Sequence, residues 1–423
     1  MAVAENRGRT TIKFGEFVAL AAATMSTQAI AIDAMLPAFP IIVRTLQVAD
    51  PNHGQWIVTA YMTGLAVGQL FWGMMSDRFG RRRILLTGLT LYALAALVCT
   101  LAGNFQTLLA WRFVHGMAAA SVVVMRSVVR DLYSGRHMAR VMSLTFMVFL
   151  MVPIIAPSLG QVILLIAPWR FIFAVLSMFA AIVGVWLALR LPETLHAEYR
   201  MTLTRSHIAK AVRLVLGNRI SLCYTLAMMV MFGSLMAYVG TVQQIFSETF
   251  HRPNLMPSMF ALCAVFMGMA SYLNSRIVER LGMRRIAHAS LLTYIGVSVL
   301  HTVVAALGLE QIWTFVLFQS AAMAAFGLCV SNFGAMAMEP VGAVAGIGAS
   351  LQGFVSTFLG ALVGAFIGKQ FNGTTVPLAA GGIGCGLASL GCVLLAERGR
   401  LFSSHHAGDG ATLNGQTEGA GLH

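Results

Sequence analysis

Long apolar runs alternate with short polar links along almost the whole chain. The runs fall at approximately 16–43, 55–75, 84–103, 107–130, 140–166, 168–190, 220–247, 256–280, 285–307, 311–338, 342–370 and 375–396. A helix of roughly 20 apolar residues crosses the hydrocarbon core of a bilayer, and each run suffices. The runs are continuous, unlike the short alternating segments of a membrane β-barrel. The pattern predicts an all-α membrane protein with twelve transmembrane helices. One internal polar stretch is much longer than the others, "LPETLHAEYRMTLTRSHIAKAVRLVLGNR" at 191–219. It separates an N-terminal six-helix bundle, 1–190, from a C-terminal one, 220–396. The tail 397–423 is Gly-rich and polar with no apolar period, and is expected to be disordered.

Composition agrees: of 423 residues, 58% are hydrophobic and 10% charged. A net charge of +13 would suggest nucleic acid as a partner of a soluble protein. Here the charge is sorted by link. Of 28 Lys and Arg, only Arg44, Arg170, Arg252 and Lys369 fall on one side, and Arg112 and Arg126 lie inside the fourth span; the remaining 22 fall on the other side. By the positive-inside rule that side is cytoplasmic, with both termini and the central linker. No nucleic-acid role is expected. The first apolar run follows Glu5 and Glu16 with no small-residue cleavage site, so it reads as a retained helix. The six cysteines, Cys99, Cys223, Cys263, Cys329, Cys385 and Cys392, lie in apolar runs without CxxC pairs or accompanying histidines, so they read as small core residues. No metal and no cofactor is expected.

Charge is densest in "GMMSDRFGRRRILL", 73–86, between the second and third runs. Orientation explains the arginines, but not Asp77 or the glycines at 73 and 80. A degraded copy, "NSRIVERLGMRR" at 274–285, follows the second run of the other half, with Gly282 at the place of Gly80 and Arg280 at that of Arg78. Two copies of one six-span unit make a pseudo-symmetric pair of bundles, a transporter plan.

The 73–86 link resembles the G-x-x-x-D-R-x-G-R-R signature of the major facilitator superfamily. "IDAMLPAFP" (32–40), "WRFVHGMAAASVVVMRSVVRDLY" (111–133), "VPIIAPSLGQ" (152–161), "PWRFIF" (168–173) and "LPETL" (191–195) are similar to drug:proton antiporters of the bicyclomycin/chloramphenicol-resistance type. The specific matches cover the N-terminal half. His115 stands where that subfamily usually has Gln, and Ala156 and Gln161 stand where antiporters often have Gly. The resemblance implies the major facilitator fold and proton-coupled efflux of small apolar or cationic compounds by a monomer in the bacterial inner membrane.

Among single residues, Asp33 stands out, with no other acid between Glu16 and Asp50. An acid in hydrocarbon is expensive and marks function by default. Burial favours its neutral form and a nearby cation its charged form, a balance suited to taking and releasing a proton. A structural partner for an Arg is the alternative reading. Arg112 poses the same problem with opposite sign, and the resemblance gives it a part in proton coupling; a snorkelling helix-end Arg is the alternative. His115, one turn away on the same face, is a substrate contact or a hydrogen-bonding core residue.

The resemblance also assigns Gly73, Asp77, Arg78, Gly80, Arg81 and Asp131 to a cytoplasmic gate. Arg81 is expected to pair with Asp131 and Asp77 to face the start of the eleventh span, whose helix N-terminus would favour a carboxylate. Pro153, Pro157 and Gly160 would bend the fifth span. Gly64 and Gly68 on the second span and Gly360, Gly364 and Gly368 on the eleventh form small-residue stripes, and in the family those spans meet across the halves. Met25, Gln28, Met125, Tyr238 and Gln243 are nominated as substrate contacts, Met for its adaptable packing. No phosphate-binding loop and no nucleophile–base set appears, so an ion gradient is the expected energy source and an enzyme is not. Proton-coupled uptake on the same fold and a non-transporting receptor or scaffold remain alternatives.

Overall fold

The structure, a computed structural model, describes residues 12–133, 135–195 and 212–402. Twelve long helices run in chain order: α1 (Phe14–Asp33, continued by a 3-10 turn and Phe39–Thr45), α2 (Trp56–Phe79), α3 (Arg81–Thr100), α4 (Phe105–Ala119, continued by Val123–Leu132), α5 (Gly135–Ile166), α6 (Arg170–Arg190), α7 (Arg219–Gln244), α8 (Met256–Leu281), α9 (Met283–Ala306), α10 (Ile312–Met338), α11 (Ala345–Lys369) and α12 (Val376–Ala396). Among the described residues, eleven spans are long and apolar enough to cross a membrane, and α5 carries a shorter apolar stretch, Met151–Ile166. Large apolar side chains such as Leu101, Leu165, Ile166 and Leu189 are more than three-quarters exposed, as helices facing lipid tails require.

The two halves repeat the same packing. In the first, α1 lies on α5, α2 on α4, and α3 on both α4 and α6. In the second, α7 lies on α11, α8 on α10, and α9 on both α10 and α12. The halves meet mainly through α2 against α11 and α5 against α8.

The duplicated links share a backbone turn. Gly80 (φ +101°) and Gly282 (φ +80°) both sit where an L side chain is strained, and each closes one helix and opens the next. The arginines behind them both reach the sixth helix of their half: Arg82 donates to the Ala188 carbonyl at 2.6 Å, and Arg284 pairs with Glu397 at 2.8 Å.

The second of these contacts changes the expected tail. Its first residues are packed, not free. Glu397 is only 7% exposed and also accepts from the Tyr224 hydroxyl at 2.7 Å, while the Phe402 N–H donates to His288 Nδ1 at 3.1 Å. Burial alone would raise the Glu397 carboxyl; the hydrogen bonds from Tyr224 and Arg284 and the Arg284 charge outweigh it and hold it below its ordinary value. Residues 403–423 and the linker section 196–211 lie outside the described residues.

The glycine stripes also differ from expectation. A Cβ at Gly64 or Gly68 would strike α4, at the Phe113 carbonyl (1.9 Å) and the Met117 carbonyl (2.4 Å). One at Gly360 or Gly364 would strike α7, at Phe232 (2.9 Å) and Met236 (2.5 Å). These stripes therefore tighten each half internally. Between the halves, α11 approaches the first half at Gly353, beside Gln69, and at the last glycine of its expected stripe, Gly368, beside Gln55.

Candidate functional site

Asp33 is the last residue of the first stretch of α1, and the local sequence explains why the helix breaks there. Pro37 has no N–H to give the Asp33 carbonyl, and Pro40 none for Leu36. The chain tightens into a 3-10 turn at Leu36–Ala38, and the Met35 N–H goes to Ile32 in place of Ala31. Asp33 itself is 7% exposed, and among the described residues its carboxylate has no hydrogen-bond or ion-pair partner.

The Ala31 carbonyl freed by that break is taken by Arg112, whose Nη2 donates to it at 3.2 Å. Arg112 is fully buried and has no carboxylate partner among the described residues. Its Nε donates to the Ile57 carbonyl at 3.4 Å and its Nη1 to His115 Nδ1 at 3.1 Å. The guanidinium lies 4.4 Å above the Tyr61 ring. The charge is thus spread over two carbonyls, an imidazole and a π face, where only a planar fork fits all four. Because Arg112 can only donate, His115 must accept at Nδ1 and carry its proton on Nε2, which is buried without a partner.

Two tyrosines complete the arrangement. Tyr61 donates to the Gln28 carbonyl at 2.9 Å and Tyr92 to the Thr27 carbonyl at 2.8 Å. Three donors from α2, α3 and α4 therefore converge on α1 within two turns of Asp33. Neither tyrosine was marked by the sequence; backbone acceptors leave no side-chain pattern to find.

The fifth helix frames the same point. Pro153 and Pro157 lie inside α5, and a Cβ at Gly160 would stand 1.9 Å from the Ala34 carbonyl. The missing side chain lets α5 come onto the backbone next to Asp33.

At the link, Arg81 is 4% exposed and gathers the expected residues of its own half. Its Nε pairs with Asp131 at 3.2 Å, its Nη1 donates to Ser76 at 2.6 Å, and it also pairs with Asp77. Among the described side chains nothing ties Asp77 to α11; a Cβ on Gly73, one turn before it, would stand 3.9 Å from Ser350 of that helix. Arg78 is exposed over Phe79. Glu193, of the quoted "LPETL", is an unforeseen member: it accepts from the Arg81 N–H at 2.7 Å, and Thr194 donates to Asp131 at 3.2 Å. The acid immediately after the sixth run was its only signal.

The nominated substrate contacts are scattered. On α1, Gln28 lies within two turns of Asp33 and Met25 just over two turns from it. Met125 and His115 are fully buried in the first bundle, so neither lines a chamber here. Tyr238 is stacked on Phe260 at 5.6 Å, and Gln243 is 4% exposed with its Oε1 unpartnered.

Two repeated six-helix bundles with buried charges inside them define a membrane transporter. The sequence profile of the Major Facilitator Superfamily matches residues 17–365, and the chain belongs to that family. It is 32% identical over 356 residues to an uncharacterized MFS-type transporter, YdgK, of Bacillus subtilis, covering 82% of this chain and 87% of that one. It is 31% identical over 351 residues to the bicyclomycin resistance protein homolog of Haemophilus influenzae, again covering 82% and 87%. Over 178 residues, 42% of this chain and 45% of the other, it is 32% identical to the multidrug resistance protein MdtL of Klebsiella pneumoniae. Among solved structures, a partially occluded inward open conformation of the xylose transporter XylE from E. coli superposes with a TM-score of 0.71 at 12% identity, covering 92% of this chain and 99% of that one.

Proposed function

We propose that this transporter exports small apolar or cationic compounds across the bacterial inner membrane in exchange for protons, as a monomer with both termini in the cytoplasm. The observation that carries the reading is the Asp33 carboxyl: buried, unpaired among the described residues, and set at the break of α1 between the Arg112 anchor and the close approach of α5 at Gly160. A group so placed exchanges a proton for a cationic or hydrogen-bonding substrate when its surroundings change. Relatives named for bicyclomycin and multidrug resistance support the direction.

In the proposed cycle substrate enters from the cytoplasm or inner leaflet while Asp33 is ionised. The bundles rock, a proton arriving from outside displaces the substrate, and the return stroke carries the proton inward. A proton crossing 100 mV releases roughly 2.3 kcal/mol, to which a pH difference adds. The Arg81–Asp131–Asp77 cluster stiffens the cytoplasmic end of the first bundle and serves as its gate.

The test is transport in energised vesicles with bicyclomycin and tetraphenylphosphonium as substrates. Antiport gives substrate-driven proton movement opposite to the substrate. Uptake by symport gives both in one direction, and a scaffold gives neither.

A further inference from the structure

Among the described residues, the hydrogen bonds that join the two halves are confined to one end. Asn52 Nδ2 donates to the carbonyls of Lys369 (3.4 Å) and Phe371 (3.3 Å). Gln55 Nε2 donates to the Gly368 carbonyl (2.8 Å) and to Gln244 Oε1 (3.3 Å), and Gln244 Nε2 donates back to Asn52 Oδ1 (2.9 Å). On the other seam Gln161 of α5 donates to Asn254, just before α8, at 3.3 Å. Among the described residues no ion pair crosses between the halves, and at the basic end α2 and α11 touch without a hydrogen bond.

We propose that these amides are the outer gate of the transport cycle: Asn52, Gln55 and Gln161 of the first half clasp Gln244, Asn254 and the end of α11, and their strength sets how readily the protein opens outward. The inference rests on alternating access by the two halves, and not on the direction or coupling of transport.

Three features fit a gate better than ordinary packing. First, Gln55 and Gln244 are 5% and 7% exposed, and their partners are each other, Asn52 and a backbone carbonyl of the other half. Parting the halves strips these amides of their partners, and incoming water must replace them. Net strengths near those of neutral hydrogen bonds make such a contact firm but reversible. Second, α11 has a glycine where the amide enters: a Cβ on residue 368 would stand 1.7 Å from Gln55 Oε1. Third, Gln55 lines two cavities. One of about 120 Å³ is lined by Phe39, Val43, Arg44, Gln55, Gln244 and Glu248. A smaller one of about 10 Å³ is lined by the same residue with Val58, Thr59, Met236 and Ala361. Gln161, unusual at its place in the fifth-span motif, acquires a purpose as the second clasp.

The test is a distance distribution by electron–electron double resonance between spin labels at Thr45→Cys and Arg252→Cys, two exposed outer positions on opposite halves. The protein is full length in nanodiscs, without substrate. Gln55→Ala combined with Gln161→Ala should raise the long-distance, outward-open population roughly tenfold or more, the effect of losing three neutral bonds. Gly368→Ala, which expels the Gln55 amide, should do the same. Gln161→Ala alone alters only the exposed rim and should give a smaller shift in the same direction, so a folding defect in the other variants leaves the question decidable. Unchanged distances in Gln161→Ala and in any folded variant of Gln55 would overturn the proposal. Because the readout is a distance, that result leaves the export reading standing.

Discussion

Arg112 Nη2 donates to the backbone carbonyl of Ala31 at 3.2 Å, two residues before Asp33. The buried cation does not neutralise the buried acid directly. It holds the stretch of helix that presents the acid. Any movement of α4 against α1 therefore pulls on the backbone that leads into Asp33.

Arg112→Lys tests this grip. A lysine ammonium keeps the charge but cannot reach the Ala31 and Ile57 carbonyls, His115 and the Tyr61 face together. Loss of a buried, fully bonded cation site is expected to destabilise the fold by about 3 kcal/mol or more. Thermal unfolding in detergent should show a clear drop, and transport should fall with it. Equal stability and transport would mean that the charge alone matters.

The two link glycines should differ in their response to alanine. Both have positive φ, but a Cβ at Gly80 would also stand 2.4 Å from Glu193, whereas one at Gly282 meets nothing within 4 Å. Gly282→Ala should lose only the backbone term, about 1 kcal/mol. Gly80→Ala should lose more, because it displaces the acid that caps α3. The comparison is read as midpoint shifts in thermal unfolding.

The Glu397 contact predicts a pH dependence. Its carboxyl is held below the ordinary 4.5 in the folded protein. A depressed folded value contributes stability above the unfolded value and loses it as pH falls through the folded one. Wild type should therefore exceed Glu397→Gln in thermal stability at pH 7, and the gap should close below about pH 4. A gap independent of pH would assign the effect to packing.

Much of this was legible in the chain. Twelve spans and the repeated link are local patterns, and local patterns survive folding. Asp33 was visible because an acid is rare in apolar surroundings. Partners were not visible. Arg112 is satisfied chiefly by backbone carbonyls and a ring face, which leave no motif. Glycine spacing announced close helix contacts at Gly64 and Gly360 but not which neighbour they face, and the neighbours proved to be α4 and α7. The outer amides are separated from their partners by 93 to 319 residues, so only the packed halves reveal them. The tail's first residues read as polar and loose, yet Glu397 is secured by Tyr224 and Arg284 from distant helices.

The most direct measurement is proton release from purified protein in weakly buffered detergent when tetraphenylphosphonium is added, with wild type beside Asp33→Asn. The account predicts that wild type releases protons on binding and that Asp33→Asn binds the probe with no release and no pH dependence of affinity. Undiminished release from Asp33→Asn would contradict it.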